Sequence, residues 1–449
     1  MQGQGRENGS IRRERLAWYL YDFGNSAYAA VILLAVYAAY FKEQVAGGAN
    51  GSWLWGLAVG IAMLVVSVSA PILGTIADYS GSKKKFLFFF TTVSCGFTAM
   101  LAFVGKGNII AGMMFFIIAE IGYRSAQVFY NSLLPEIAPP REIGRISGRG
   151  WAVGSAGGIV CLIVVLALIQ LFPGGISIRL SFLITALFFA GFSLPIFLWL
   201  PRSESARRAP GDDPIIALAW KRLGTTLRKV RHFREFAKFM LAFLVYNDGI
   251  IMALNFAAIL GAVLFGLNQQ QLIVFMILVQ VASVAGAYIF GYIADRFSAK
   301  RSLITALLMM IGAVVWLYFD HSRTLFYVIG GIAGFSLTAV QSVSRAFVGK
   351  LAPAARAAEF YGFFAMTGRT SSFIGPTVFG LIAVRAALWY QKQGQQAALA
   401  EQSGQRMAII SIVAFLAIGF ALLLLANEKR GIDAAKADEE GEQSAVSIT

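Results

Sequence analysis

The chain has 449 residues, of which 58% are apolar and only 14% charged, against about 25% charged in an ordinary soluble protein. This composition excludes a disordered chain, a collagen-like chain and a soluble globular enzyme. The net charge of +15 would suggest nucleic acid in a soluble domain. Here the basic residues cluster in alternate connections between apolar runs, and no basic stripe is interleaved with stacking aromatics, so no nucleic-acid partner is expected.

The N-terminus carries Arg6, Arg12, Arg13 and Arg15 before an apolar run over 16–41. That run is too long for the core of a signal peptide and predicts a retained first span. Eleven more spans follow, at 53–77, 86–104, 109–131, 146–171, 178–200, 237–264, 271–294, 302–319, 324–347, 358–384 and 406–426. All are expected to be helices, because segments this long and continuously apolar are not barrel strands. With both termini in the cytoplasm, 28 Lys and Arg fall on the cytoplasmic side and 7 on the other, which fits the positive-inside rule. The expected class is an all-α polytopic membrane protein of twelve transmembrane helices in two pseudo-symmetric six-helix bundles.

Those bundles are expected over 1–200 and 237–426. The connection over 201–236 carries Ile216, Trp220, Leu223, Leu227 and Val230 at helical spacing, which predicts an amphipathic helix able to lie on the anionic leaflet. The acidic, small-residue tail over 427–449 is expected to be disordered. Gly150, Gly154 and Gly158 form a small-residue stripe for close helix packing.

Cys95 and Cys161 both lie inside apolar runs, so no disulfide framework is expected. His232 and His321 are the histidines; with so few soft ligands no metal site and no cofactor are predicted. No phosphate-loop, H-E-x-x-H or G-x-S-x-G pattern occurs, which argues against ATP-driven pumping by this chain alone and against an enzyme.

The two halves repeat. Gly74, Asp78, Lys83 and Lys84 recur as Gly291, Asp295, Lys300 and Arg301, and Glu142 recurs as Glu359, each pair 217 residues apart. Tyr21-Asp22-Phe23-Gly24 has a looser echo in Tyr246-Asn247-Asp248-Gly249. Repeated halves are a known transporter construction.

Polar residues inside spans are costly and therefore point to function. Span 4 holds Glu120, Arg124, Gln127 and Asn131 on one helix face, and Glu120 and Arg124 are spaced to pair. Span 1 has Asp22 with Asn25 and Ser26 one turn on. Span 7 has Asn247, Asp248 and Asn255, and span 10 has Gln341 and Arg345. Arg124 and Arg345 are read as carboxylate or anion receptors. Asp22, Asp248 or Glu120 is read as binding a substrate ammonium or as gaining and losing a coupling proton. Structural ion pairing is the competing reading for Glu120 with Arg124, and pairing with a gate arginine the competing reading for Asp22.

The loop running from Gly74 through Asp78 to Lys83-Lys84-Lys85 resembles the motif of the major facilitator superfamily. More narrowly, the chain is similar to the unidentified major facilitators, a family that includes autophagy-related vacuolar amino-acid effluxers. The residues are Tyr21 to Tyr28, Tyr130-Asn131-Ser132-Leu133-Leu134-Pro135-Glu136, Ser147-Gly148-Arg149-Gly150-Trp151, Tyr246 to Gly249, and Glu359-Phe360-Tyr361-Gly362 with Gly368-Arg369. In the first loop Tyr79 replaces the family's usual arginine. In the second, Ser298 stands for Gly81.

The resemblance implies a transporter working by alternating access, with spans 1, 4, 7 and 10 around a central cavity. It implies a cytoplasmic gate built on Gly74, Asp78, Lys83, Lys84, Glu142 and Arg145 in the first half and Gly291, Asp295, Arg296, Arg301 and Glu359 in the second. The expected cargo is a small polar solute, with proton-coupled amino-acid or metabolite efflux preferred. Import of a sugar, peptide or cell-wall fragment and a non-transporting receptor of the same fold are the alternatives. The expected partners are this solute, membrane lipid and a coupling proton; the expected state is a monomer in a bacterial cytoplasmic membrane.

Overall fold

A computed structural model describes residues 2–79, 83–137, 143–200, 233–296, 298–352, 360, 363–364, 366–368 and 374–446. The described residues form helices and connections, with no strand among them. Helix α1 spans Gln2–Ala27 and runs into a π-helix over Tyr28–Ala35. A second π-helix covers Phe41–Ala46. Gly47 and Gly48, at φ of 71° and 61°, then turn the chain in a left-handed conformation that a Cβ would strain. The first half continues with α2 (Gly48–Tyr79), α3 (Lys83–Met100), α4 (Ile109–Ser132), α5 (Ile143–Leu171) and α6 (Gly175–Trp199). The second half has α7 (Arg234–Phe265), α8 (Gln269–Arg296), α9 (Ala299–Phe319), α10 (Arg323–Leu351), α11 (Ile374–Lys392) and α12 (Ala397–Leu424). A last helix, α13, covers Glu428–Val446.

Eleven of the described helices are long and apolar enough to cross a membrane. Each satisfies its backbone groups internally, as a hydrocarbon environment demands. The span expected at 358–384 lies partly outside the described residues, and α11 covers its second part. Span 12 starts nine residues earlier than expected: the helix runs from Ala397 rather than from Arg406.

The chain divides into two compact units. One is Met1–Ala219 with Asn255–Ile277, and the other is Trp220–Leu254 with Leu278–Thr449. The division therefore cuts α7 and α8, where the hydropathy pattern placed it in the connection over 201–236. Of that connection, 201–232 lies outside the described residues. In the first unit α1 packs on α5 and α6, and α4 on α2 and α3. In the second, α9 packs on α10 and α12, and α11 on α12.

Small residues let the backbones approach. A Cβ on Gly150 would strike the Trp18 ring, and one on Gly157 would lie 2.0 Å from the Phe23 carbonyl oxygen. The contact stripe of α5 includes Gly157, which the regular spacing of four missed. Its steps of four and three follow the 3.6-residue turn.

The two units repeat their ties between antiparallel helices. Lys84 Nζ, at the start of α3, donates to the Leu200 carbonyl just past the end of α6. Lys300 Nζ, at the start of α9, donates to the carbonyls of Leu424 at 3.0 Å and Ala426 at 2.5 Å. At the opposite ends Arg179 Nε reaches the Ala102 carbonyl at 2.8 Å. Arg406 reaches the Tyr318 and Asp320 carbonyls at 2.6 and 2.8 Å. Helices α3 and α9 begin 216 residues apart, at Lys83 and Ala299, so contact pairs Lys84 with Lys300. The match of Lys83 with Lys300 made from the motif is off by one residue, because the loop before α9 is one residue shorter.

The tail expected to be disordered begins as a docked helix. Glu428 accepts from Ser298 Oγ at 2.5 Å and from the N–H groups of Ala299 and Lys300 at 3.1 and 3.2 Å. A carboxylate at a helix N-terminus satisfies donors that the helix itself leaves open. Glu235, at the start of α7, accepts in turn from the Asn427 N–H at 2.6 Å.

Candidate solute-binding site

In the first unit the polar face of α4 carries one defined ion pair. Arg124 Nε donates to Glu120 Oε1 at 2.8 Å, one helical turn away. Glu120 is 0% exposed and the Arg124 side chain 30%, so the carboxylate is sealed and the guanidinium partly open. The guanidinium also lies over the Tyr123 ring, 5.3 Å from its centroid. That placement leaves both terminal nitrogens of Arg124 without a hydrogen bond among the described residues. A guanidinium held through Nε and stacked on a ring presents its remaining donors in a fixed direction.

Helix α1 brings its polar face to the same cluster. The Tyr28 and Tyr123 rings pack at 4.7 Å, and the Tyr28 hydroxyl lies beside Glu120. Tyr28 opens the π-helix over Tyr28–Ala35, closed by Val36 N–H donating to Val31 O at 2.8 Å. Wide turns of this kind recur where a helix is distorted for function. Among the described residues, three buried polar atoms here have no partner in full hydrogen-bond geometry: Asn25 Nδ2, Tyr28 Oη and Glu120 Oε2. Gln127 sits beside the Tyr123 hydroxyl. Asp22 lies against α5, where a Cβ on Gly154 would come within 2.8 Å of Asp22 Oδ2 and 2.9 Å of Ser26 Oγ.

The first unit thus gathers Asp22, Asn25, Glu120, Arg124 and Gln127. Asn131 is exposed near the end of α4. Asn255, read with span 7, belongs to the first unit, and its carbonyl accepts from Trp55 Nε1 at 3.1 Å. Tyr28 and Tyr123 were not among the predicted site residues. Tyr28 ends the Tyr21–Tyr28 motif, which was the signal available; a tyrosine in an apolar run otherwise reads as packing.

In the second unit Asn247 Nδ2 donates to the Gly368 carbonyl at 3.2 Å. Asp248, 1% exposed, accepts from the Gly375 N–H at 3.1 Å. Gln341 and Arg345 lie on an exposed part of α10.

Of the expected gate residues, Gly74 and Asp78 fall in α2, Arg145 in α5, and Gly291, Asp295 and Arg296 in α8; their side chains lie outside the described set. Glu142 and Glu359 also lie outside the described residues. Lys83 Nζ donates to the Ser132 carbonyl at 3.2 Å. With Lys84 on Leu200, both lysines make contacts inside the first unit. Arg301 is exposed, and its N–H donates to Ser298 Oγ at 3.2 Å.

Long apolar helices in two repeating units, with a buried polar cluster in helix interiors, define a membrane transporter of the major facilitator type. The solved structure of a bacterial homolog of the human lysosomal transporter Spinster, inward-facing and unoccupied, has the same fold. It covers 95% of this chain and 98% of its own, at TM-score 0.71 and 15% identity. The family described as "Vacuole effluxer Atg22 like" matches residues 54–436, and the chain belongs to that family. It is 29% identical over 432 residues to the MFS-type transporter YxiO of Bacillus subtilis (strain 168), covering 94% of this chain and 96% of the relative. It is 25% identical over 262 residues to Autophagy-related protein 22-1 of Aspergillus niger, covering 54% of this chain and 43% of that longer relative. The chain is an integral membrane transporter and not an enzyme.

Proposed function

We propose that this transporter exports small solutes bearing a carboxylate, with amino acids as the first class, and that Arg124 is the carboxylate receptor. The observation that carries the reading is the pre-oriented guanidinium: pinned by Glu120, stacked on Tyr123, and open at both terminal nitrogens. Two parallel N–H donors match the two oxygens of a carboxylate, a match a lysine does not reproduce. The Atg22-like effluxer family supports the direction of transport. The largely buried polar face of α1, with Asp22 and Asn25, supports a place for the ammonium group or a coupling proton. The gate set, from Gly74 to Glu359, and a monomer in a bacterial cytoplasmic membrane with both termini inside complete the reading.

The test is a thermal-shift screen of the purified protein against amino acids, sugars, nucleosides and cell-wall fragments at two pH values. A ligand that binds the folded state at a hundred times its Kd adds about 2.7 kcal/mol of stability. The expected result is a rise in melting temperature with one or more amino acids, lost in Arg124→Ala and not restored in Arg124→Lys. Stabilisation confined to sugars, or a full amino-acid response in Arg124→Ala, would contradict the assignment.

A further inference from the structure

The two units pack corresponding helices through corresponding residues. Trp18 lies on Gly150, and Phe243, 225 positions later, lies on Gly368, 218 positions later. The same two offsets carry Phe23 on Gly157 to Asp248 on Gly375. Tyr21 and Tyr246 share the first offset, but their hydroxyls bond different helices: Tyr21 Oη meets Thr91 Oγ1 of α3 at 2.8 Å, and Tyr246 Oη meets Ser344 Oγ of α10 at 2.6 Å.

In this register the counterpart of Asp22 is Asn247, not Asp248. Asn247 is neutral and donates to the Gly368 carbonyl. Asp248 stands where the first unit has Phe23, a packing position. It sits against the second residue of α11, whose N–H points at its carboxylate. In α5 the equivalent glycine, Gly157, lies in the interior of a continuous helix. The Gly375 N–H of α11 thus finds its acceptor on α7. A Cβ on Gly375 would lie 2.9 Å from Asp248 Oδ1 and 2.8 Å from Met252 Cγ, so the contact needs glycine there. Asp22 has no such backbone donor, and what faces it is Asn25 and Ser26 on its own helix, the Gly154 Cα, and the Tyr21, Tyr123 and Tyr130 side chains. No cation lies beside either carboxylate among the described residues.

We propose that Asp248 is a positioning residue, an acceptor that ties α11 to α7 through the Gly375 N–H, and that Asp22 is the carboxylate that changes partners during transport. The assignment rests on the proposed export of amino acids for its transport half and on geometry alone for its structural half. It separates two aspartates that the sequence offers as equals.

Two measurements test it on the full chain. The first is thermal unfolding of Asp248→Asn, Asp248→Ala, Asp22→Asn and Asp22→Ala in detergent. Asparagine keeps an oxygen acceptor for the Gly375 N–H, so Asp248→Asn holds the wild-type melting temperature, and Asp248→Ala falls by roughly 3 °C or more. Both Asp22 variants stay close to wild type. The second is efflux of labelled amino acids from proteoliposomes as a function of pH. Asp248→Asn keeps the rate and the pH profile, and Asp22→Asn loses about tenfold or more, equivalent to the 1.4 kcal/mol that a factor of ten represents. Equal destabilisation by Asn and Ala at position 248, or full transport in Asp22→Asn with none in Asp248→Asn, overturns the proposal. If wild-type protein moves no amino acid, the export reading fails, and the melting series by itself decides the role of Asp248.

Discussion

Single atoms decide how closely α1 meets α5. The backbone of Phe23 passes so near Gly157 that even a methyl group would meet its carbonyl oxygen. Overpacking of this kind typically costs 1–3 kcal/mol, because backbone has to move. Gly157→Ala is therefore expected to lower the melting temperature by several degrees. Gly191→Ala, where nothing lies within 4 Å of the added atom, is the control and should not. Equal melting of the two variants would show that α1 does not press on α5 as described. At this scale the sequence was legible where chemistry and spacing agreed. Glu120 and Arg124 pair as their one-turn separation implies, since few other arrangements satisfy two charges in hydrocarbon. Tyr28 was legible only as the last residue of the Tyr21–Tyr28 motif, because the π-helix it opens leaves no mark of its own in the sequence. Gly157 was not legible, since regular counting in fours passes over it.

Helix ends carry the next level of specificity. Each unit closes its antiparallel pair, α3 with α6 and α9 with α12, by cations from one helix on carbonyls at or just past the end of the other. A cation at a helix C-terminus contributes about 0.3–1 kcal/mol when exposed and up to ~2 kcal/mol when partly buried. Arg406→Ala should accordingly destabilise the protein measurably in thermal unfolding, and Arg385→Ala, on the exposed face of α11, should not. The reversed order would refute the clamp. The tail shows the limit of composition. Its acidic residues read as disorder, yet Glu428 caps α9 at three donors. Composition weighs a segment alone and does not see an open helix N-terminus 130 residues away. Loss of a capping side chain costs about 1 kcal/mol. Glu428→Ala is expected to show that loss and to speed proteolysis of α13, with Glu428→Asp intermediate. Unchanged stability and protection in Glu428→Ala would mean that the helix does not depend on this cap.

Across the whole molecule, the class of protein was legible because lipid imposes the strongest rule available: long apolar segments become helices. The duplication was legible as well, since the loop motif and the Tyr21 and Tyr246 segments mark the same place in each half. What escaped was the route by which the chain is shared between units. Asn255–Ile277 joins the first unit, and only tertiary contacts such as Trp55 with the Asn255 carbonyl determine that. The proposed carboxylate receptor was legible in part. Arg124 stood out by its cost inside a span, but its accessible donors follow from the Tyr123 and Glu120 geometry. The most direct test of the account is efflux of labelled amino acids from proteoliposomes containing wild-type protein, Arg124→Ala or Arg124→Lys. The account predicts efflux in the wild type and loss of at least about tenfold in both variants, with unchanged melting temperature in Arg124→Lys. Wild-type rates in Arg124→Ala would contradict it.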